Sequence, residues 1–280
     1  MDRFYTTPLI TFVVFQIGTW RYMNVEKQKQ ENTNQRGQEW FEVWFDTPEY
    51  HLLYKHRDMD EAAVFIRNII QHLELPENSR VLDLACGRGR HTLQLAGFGY
   101  EVFGLDYAPG NISYALEHYS RPNTTYFLHD MRNPFPVSSL DLILNLFTSF
   151  GYFNERETHE QVLLNIRHAL KPEGIFIMDY FNSARVLNDM VHKEEKVLEG
   201  TLFTIQRSKL DHRIVKHIEV KHRDGVIRHF EEWVEAFSRR ELERLLESAG
   251  FQIEEVFGDY ALQSFDEQMS PRLILKCKVL

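Results

Sequence analysis

Cysteine is nearly missing from this chain: Cys86 and Cys277 are the only two in 280 residues. Neither stands beside a second Cys or a His at metal-site spacing, and two thiols cannot build a disulfide scaffold. That excludes a stapled secreted fold and a zinc module as organising principles, and it fits a reduced, cytoplasmic protein whose cysteines only pack. The basic excess of a general nucleic-acid binder is also missing, since the net charge is -9 and the pI near 5.8. Nor does any apolar run approach the length of a membrane span. The candidate at Leu9 to Ile17 is about ten residues where about twenty are needed, and it lacks a clear basic flank and an A-x-A cleavage site. Internal repeats and low-complexity blocks are absent as well.

What is present is a chain of one large domain's length with 43% hydrophobic residues, ample for a core. Residues 1–38 read as an N-terminal extension and linker, with a polar tract from Asn24 to Gln38. Met23 is expected to be the true start, because ordered patterning begins only near Trp40.

The stretch from Arg80 to Asn111 organises the rest. Arg80 to Ala85 is short and apolar, like a buried parallel strand. It runs into Cys86-Gly87-Arg88-Gly89, where two glycines permit a sharp turn and close approach of a ligand. A short helix follows and closes at Gly97 and Gly99. A second strand, Glu101 to Leu105, ends in Asp106, where an acid can accept hydrogen bonds from ribose hydroxyls. A dinucleotide site would want a third glycine, but Thr92 stands there, and Asp83 precedes the loop. An NAD-linked oxidoreductase is therefore the weaker reading.

The pattern Asp83-Leu84-Ala85-Cys86-Gly87-Arg88-Gly89 resembles the first motif of class I S-adenosylmethionine (SAM) methyltransferases. Ser149 to Phe153, S-F-G-Y-F, matches a loop of a small bacterial group within that family. Trp44 to Ala62 is similar to that group's N-terminal helix, and the end of the chain, SPRLILKCKVL, is similar to its last strand. The resemblance covers about Trp40 to Leu280. It implies SAM as cofactor and a Rossmann-like α/β fold: a mostly parallel seven-stranded sheet with helices on both faces. By match, Asp83 would serve the cofactor's amino group, Ala85, Gly87 and Gly89 its loop, Asp106 the ribose, and Tyr107 the adenine face. Asp130 and Met131 would line the adenine pocket, and Asn145, Leu146 and Phe147 would flank the transferred methyl. Phe150 and Tyr152 would stand at the substrate entrance. The Asn/Asp-Pro-Pro-aromatic motif of DNA and protein-amide methyltransferases is lacking, so those substrates are discounted.

Elsewhere, Thr47-Pro48 opens a helix that places Tyr50, Tyr54 and Arg57 on one face. That face is either half-buried packing or a lid, with Tyr54 and Arg57 toward cofactor and Tyr50 toward substrate. Asp60 to Leu73 continues as an amphipathic helix. Thr124 to Leu128 and Leu140 to Leu146 read as strands. Asn154 with Glu157 suggests a helix cap, and Lys171 to Gly174 a turn into a fifth strand, Ile175 to Tyr180. Residues 39–182 then form the cofactor-binding core with its lid helix. Residues 183–237 form a two- or three-stranded antiparallel insert over the substrate side, from alternation in Leu202 to Leu210, Arg213 to Lys221 and Val226 to Trp233. Its histidines at 212, 217, 222 and 229 read as a solvated strand face, with a basic wall for an anionic group as the sharper alternative. Residues 238–280 return to the core through a capping box at Ser238 and Glu241.

The function these features imply is methyl transfer from SAM to an O, N or C nucleophile of a small molecule, without a metal ion. A non-catalytic module that binds SAM or S-adenosylhomocysteine (SAH) is the alternative. The acceptor, the catalytic base and the oligomeric state are not written in the sequence.

Overall fold

In the computed structural model, residues 39–55 and 59–280 are described. The expected extension at 1–38 and Arg57 lie outside these residues. Among the described residues, no helix is long and apolar enough to cross a membrane.

Two short helices, α1 (Trp40–Trp44) and α2 (Pro48–Leu53), precede α3 (Met59–Leu73). The Thr47 side chain caps α2 and Pro48 occupies its first turn, as the sequence suggests. The core then alternates β1 (Arg80–Leu84), α4 (Arg90–Gly97), β2 (Glu101–Asp106), α5 (Pro109–Tyr119), β3 (Thr124–Leu128), β4 (Leu140–Asn145), α6 (Arg156–Ala169) and β5 (Leu170–Phe181). After α7 (Ser183–Asn188) come β6 (Lys193–Leu198), β7 (Thr201–Leu210), β8 (Arg213–Lys221) and β9 (Ile227–Glu235), then α8 (Arg239–Ser248), β10 (Phe251–Phe257) and β11 (Arg272–Val279).

The large sheet has the order β10-β11-β5-β4-β1-β2-β3. Its pairs from β5 through β4, β1 and β2 to β3 are parallel, while β11 runs antiparallel to both of its neighbours. The two-residue period of a strand sorts its apolar residues into two cores. Val81, Leu142 and Leu144 pack with Phe65, Ile66 and Ile69 of α3 and Leu95 of α4. Leu82, Leu84 and Ile143 pack with Val162, Leu163 and Ile166 of α6 and Leu242, Leu245 and Leu246 of α8. Strand order therefore reverses between β1 and β4, and β1, β2 and β4 all present their carboxyl ends at that switch point.

The second sheet is β6-β7-β8-β9, wholly antiparallel. It has four strands rather than the two or three expected. The extra strand, KEEKVL, alternates exposed and half-buried positions and is rich in charge, which hid it among loop residues. Two other expectations are corrected. Lys171 to Gly174 belongs to β5, where it forms an irregular stretch between the Leu140 and Leu142 pairings, with Glu173 at φ +65°. Helix α6 begins at Arg156 with Glu155 at its N-cap; the Asn154 side chain accepts a hydrogen bond from Arg213 instead (2.7 Å). The capping box at Ser238 and Glu241 forms as expected.

Candidate functional site

The β1–α4 turn is bent by left-handed residues: Ala85 at φ +61°, Gly87 at +56° and Gly89 at +83°. For Ala85 this conformation costs energy, so the loop must be held by its contacts. The Cys86 N–H donates to the Leu105 carbonyl (2.9 Å) and the Gly87 N–H to Asp106 Oδ2 (2.8 Å). Asp106 Oδ1 also accepts from the Ala108 N–H (2.9 Å) and Asn111 Nδ2 (3.2 Å). One carboxylate thus ties the glycine loop to the start of α5, and burial still raises its pKa above the usual range despite these donors. Asp83, 1% exposed, accepts from the Thr92 hydroxyl (2.7 Å). Burial lifts its pKa to about 6, against the opposing pull of Thr92 and Arg90.

At the end of β4, Phe147 (φ +58°) and Thr148 (φ +60°) form a second left-handed turn. It is pinned by Asp179 of β5, a fully buried carboxylate. Asp179 accepts from the Phe147 N–H (2.8 Å) and from Arg272 Nε of β11 (2.7 Å), while Arg272 Nη2 reaches Thr148 Oγ1 (3.0 Å). The Phe147 ring lies under the Arg90 guanidinium (4.1 Å) and stacks on His91 (5.2 Å).

The opposite wall comes from α1, α2 and the small sheet. Trp40 meets Tyr152 edge-on (5.0 Å), and Phe45 meets Tyr50 (5.0 Å). Below them lies a buried ionic group. Glu232 of β9 accepts from Trp44 Nε1 (2.8 Å), the Tyr54 hydroxyl (2.7 Å) and Lys216 Nζ of β8 (2.6 Å), and Lys216 also donates to Tyr54 (3.0 Å). Burial alone would raise the Glu232 pKa. Lys216 and the two aromatic donors outweigh it and hold the carboxyl below its ordinary value. This group fastens both short helices to the small sheet.

Between these walls is a cavity of about 690 Å³. Of the residues singled out in the sequence, Tyr50, Tyr54, Asp83, Ala85, Gly87, Asp106, Leu146, Phe147 and Tyr152 line it. The others stand elsewhere. Gly89 is the N-cap of α4, where a Cβ would sit 2.8 Å from the Tyr126 hydroxyl oxygen. The Tyr107 hydroxyl donates to Glu42 (3.0 Å). Asp130 is ion-paired with Arg132 (2.6 Å), and Met131 packs against the α6–α8 core. Asn145 is buried, donating to the Leu84 carbonyl (3.2 Å). Phe150 is 1% exposed, against His159 and Phe237, because the S-F-G-Y-F loop turns Tyr152 and not Phe150 toward the cavity.

Sequence reasoning missed His51, Arg88, Lys216, Glu232 and Arg272 on the wall and Asp179 behind it. Lys216 and Glu232 are cross-strand partners in register, a signal that appears only once the strands are paired. The insert histidines face carboxylates: His212 meets Glu235 (3.3 Å), His217 meets Glu231 (2.9 Å) and His222 meets Glu49 (3.0 Å). Among the described residues, no three His, Cys, Asp or Glu side chains are grouped as metal ligands.

The wall suits a polar, aminoacyl-bearing nucleoside such as SAM. Asp83 and Asp106 both bring carboxylates to the cavity, and two buried polar atoms on the wall, Asn111 Oδ1 and His91 Nε2, have no protein partner.

A family model described as a methyltransferase domain matches residues 75–250. YqeM of Bacillus subtilis, provisionally named a methyltransferase, is 30% identical over 139 residues, 49% of this chain and 54% of that protein. The chain therefore spans only about half of that relative's length. The dTDP-3-amino-3,4,6-trideoxy-alpha-D-glucopyranose N,N-dimethyltransferase of Streptomyces venezuelae is 23% identical over 75% of this chain and 91% of its own. Among solved structures, a SAM-dependent methyltransferase from Clostridium acetobutylicum superposes with a TM-score of 0.70 at 18% identity, covering 82% of this chain and 95% of that one.

Proposed function

The chain belongs to the methyltransferase-domain family, and from that premise we propose that it transfers the methyl group of SAM to a nitrogen of a small-molecule acceptor. The observation that carries this reading is the continuity of the cavity. Asp83, Gly87 and Asp106 lie on one side of it and the aromatic and ionic wall of Tyr50, Tyr152, Lys216 and Glu232 on the other, within a volume typical of small-molecule sites. Nitrogen is favoured over oxygen or carbon by the aminosugar N,N-dimethyltransferase relative, whose match covers nearly all of that protein.

When bound, SAM supplies an electrophilic methyl on a sulfonium, and the leaving group is a neutral thioether. The protein's task is then to align donor and acceptor and to exclude water. In this reading the Asp83 carboxylate holds the cofactor's ammonium and Asp106 its ribose hydroxyls, while the loop at Phe147 and Thr148 flanks the methyl. Tyr50, Phe45 and Tyr152 close over the acceptor and keep water out. A nitrogen nucleophile attacks through its lone pair, and the methylated ammonium that results gives its proton to solvent on release. His51 on the wall is a neutral imidazole at neutral pH, because burial, with a smaller push from Arg88, lowers its pKa to about 4. It can accept a hydrogen bond from the acceptor amine without charging.

The test is SAH formation from SAM with paired acceptors that differ only in an amine or a hydroxyl, read by mass spectrometry of both products. Amine-dependent SAH release with a methylated amine is expected. Methylation of the hydroxyl partners alone overturns the nitrogen assignment. Tight SAM binding with no turnover on any acceptor favours a binding module.

A further inference from the structure

Among the described residues, six lysine and arginine side chains line the cavity, and five have a carboxylate partner. Lys55 pairs with Glu199 (2.6 Å), Arg90 with Glu61 (3.3 Å), Arg207 with Glu194 (2.7 Å), Lys216 with Glu232 (2.6 Å) and Arg272 with Asp179 (2.7 Å). The sixth, Arg88, makes no ion pair among the described residues, and its Nε is buried without a hydrogen-bond partner. The guanidinium lies 4.4 Å from the centre of the Tyr114 ring, a stack that fixes its plane and leaves its N–H edge unspent. Asp46, whose charge Arg88 feels, stands beyond ion-pair distance and is engaged by the Gly110 N–H (2.8 Å).

Arg88 sits between the two loop glycines, and its side chain packs on Tyr114 of α5. His51 of α2 also lines the cavity and feels the Arg88 charge. The cavity continues past Asn111 and Tyr114 to Tyr119, along α5. A planar, half-buried fork of N–H donors, its Nε out of solvent and without a counter-ion among the described residues, is matched by an oxyanion, carboxylate or phosphate, that can take two parallel hydrogen bonds. The five paired cations already hold carboxylates of their own.

We propose that Arg88 is an anion subsite that anchors a carboxylate or phosphate group carried by the methyl acceptor. The acceptor is then an anionic amine, held at its charged end along α5 while its nitrogen reaches the aromatic wall. This rests on the methyl-transfer reading above, and it accounts for a positive charge that the cofactor roles assigned there leave unused.

The test is calorimetry of the SAH-loaded full-length protein with inorganic phosphate and, separately, with acetate. One or both are expected to bind, and Arg88→Gln is expected to weaken that binding by about tenfold or more, as loss of a charge-assisted pair should. Phosphate binding alone assigns a phosphorylated acceptor, and acetate binding alone a carboxylated one. SAH affinity of the variant should change by less than about twofold. Three results overturn the subsite: no binding of either anion, anion binding indifferent to Arg88→Gln, or competition of both anions with SAH, which would give the arginine to the cofactor's own carboxylate. If wild-type protein binds no SAH, the cofactor reading falls as well, and the two failures are distinguished. Should Arg88→Gln not fold, phenylglyoxal labelling of the wild-type SAH complex decides. Phosphate or acetate must slow adduct formation at Arg88, and an unchanged rate counts against the site.

Discussion

On the sheet side of the cavity the wall is backbone, bent through left-handed turns at Ala85–Gly89 and Phe147–Thr148 and held by the buried carboxylates of Asp106 and Asp179. On the lid side the wall is side chains: aromatic rings from α1 and α2, fastened to the small sheet by Glu232 and Lys216. The first construction positions N–H groups and carboxylates to within a hydrogen bond and leaves little freedom, as a common cofactor requires. The second can be re-cut by changing side chains without disturbing a turn.

The comparison breaks most visibly if the strained turn loses its clamp. Asp179→Ala would leave Arg272 without its partner in a buried place and free the Phe147 N–H, at a cost of about 3–5 kcal/mol. Thermal unfolding checks this, and a loss below about 1 kcal/mol would mean that the turn holds itself.

The next effect is a pH dependence. Folding raises the Asp83 pKa from 3.8 to about 6, so the native state holds more protons than the unfolded chain between those values. Stability without cofactor should therefore fall as pH rises from about 4 to 6 and level off above, by up to about 3 kcal/mol. If the ionised Asp83 carboxylate holds the ammonium as proposed, SAM affinity should run the other way, strengthening as pH rises through about 6. Asp83→Asn should remove the first trend and weaken binding at neutral pH. Parallel denaturation and calorimetry across that window decide it, and identical pH profiles for both proteins would clear Asp83 of either role.

Asp106→Ala comes third. The Gly87 N–H would lose its partner and, in the proposed cofactor pose, two ribose hydroxyls a charged acceptor, so SAM binding should weaken by about 2–3 kcal/mol. Unchanged affinity by calorimetry removes Asp106 from the site. On the lid side, Glu232→Ala should cost less, about 1–3 kcal/mol, since Lys216 keeps some access to water. Its signature is local: faster hydrogen exchange in α1 and α2 with the large sheet still protected. Equal loss of protection in both places would show that the two walls are one cooperative unit.

How much of this was legible beforehand follows from the same division. The parallel strands, the glycine loop, Asp83 and Asp106 could be read because each is a local pattern in which spacing along the chain dictates position. The ionic pair of Lys216 and Glu232 could not, because its members meet only through strand register, and Trp44 joins them from 188 residues away. Phe150 and Asp130 do not line the cavity for a related reason. A motif fixes which loop reaches the cavity, but packing against His159 and pairing with Arg132 decide which side chain of that loop turns inward.

The smallest effect separates two glycines that look equivalent in the sequence. At Gly87 a Cβ would meet no protein atom within 4 Å, so Gly87→Ala pays only for its left-handed backbone, about 1–2 kcal/mol. At Gly89 the same backbone cost is joined by contacts at 2.8 Å with the Tyr126 hydroxyl oxygen and 3.2 Å with Ala115, in a place where both neighbours are buried. Gly89→Ala should therefore be the less stable by about another 1 kcal/mol. Binding should rank them oppositely. Gly87 lines the cavity and Gly89 does not, so SAM should lose more affinity from Gly87→Ala. Melting curves with and without SAM give both rankings at once. If Gly87→Ala takes up SAM normally, the loop backbone does not pack along the cofactor, and the sheet-side wall owes its bends to folding alone.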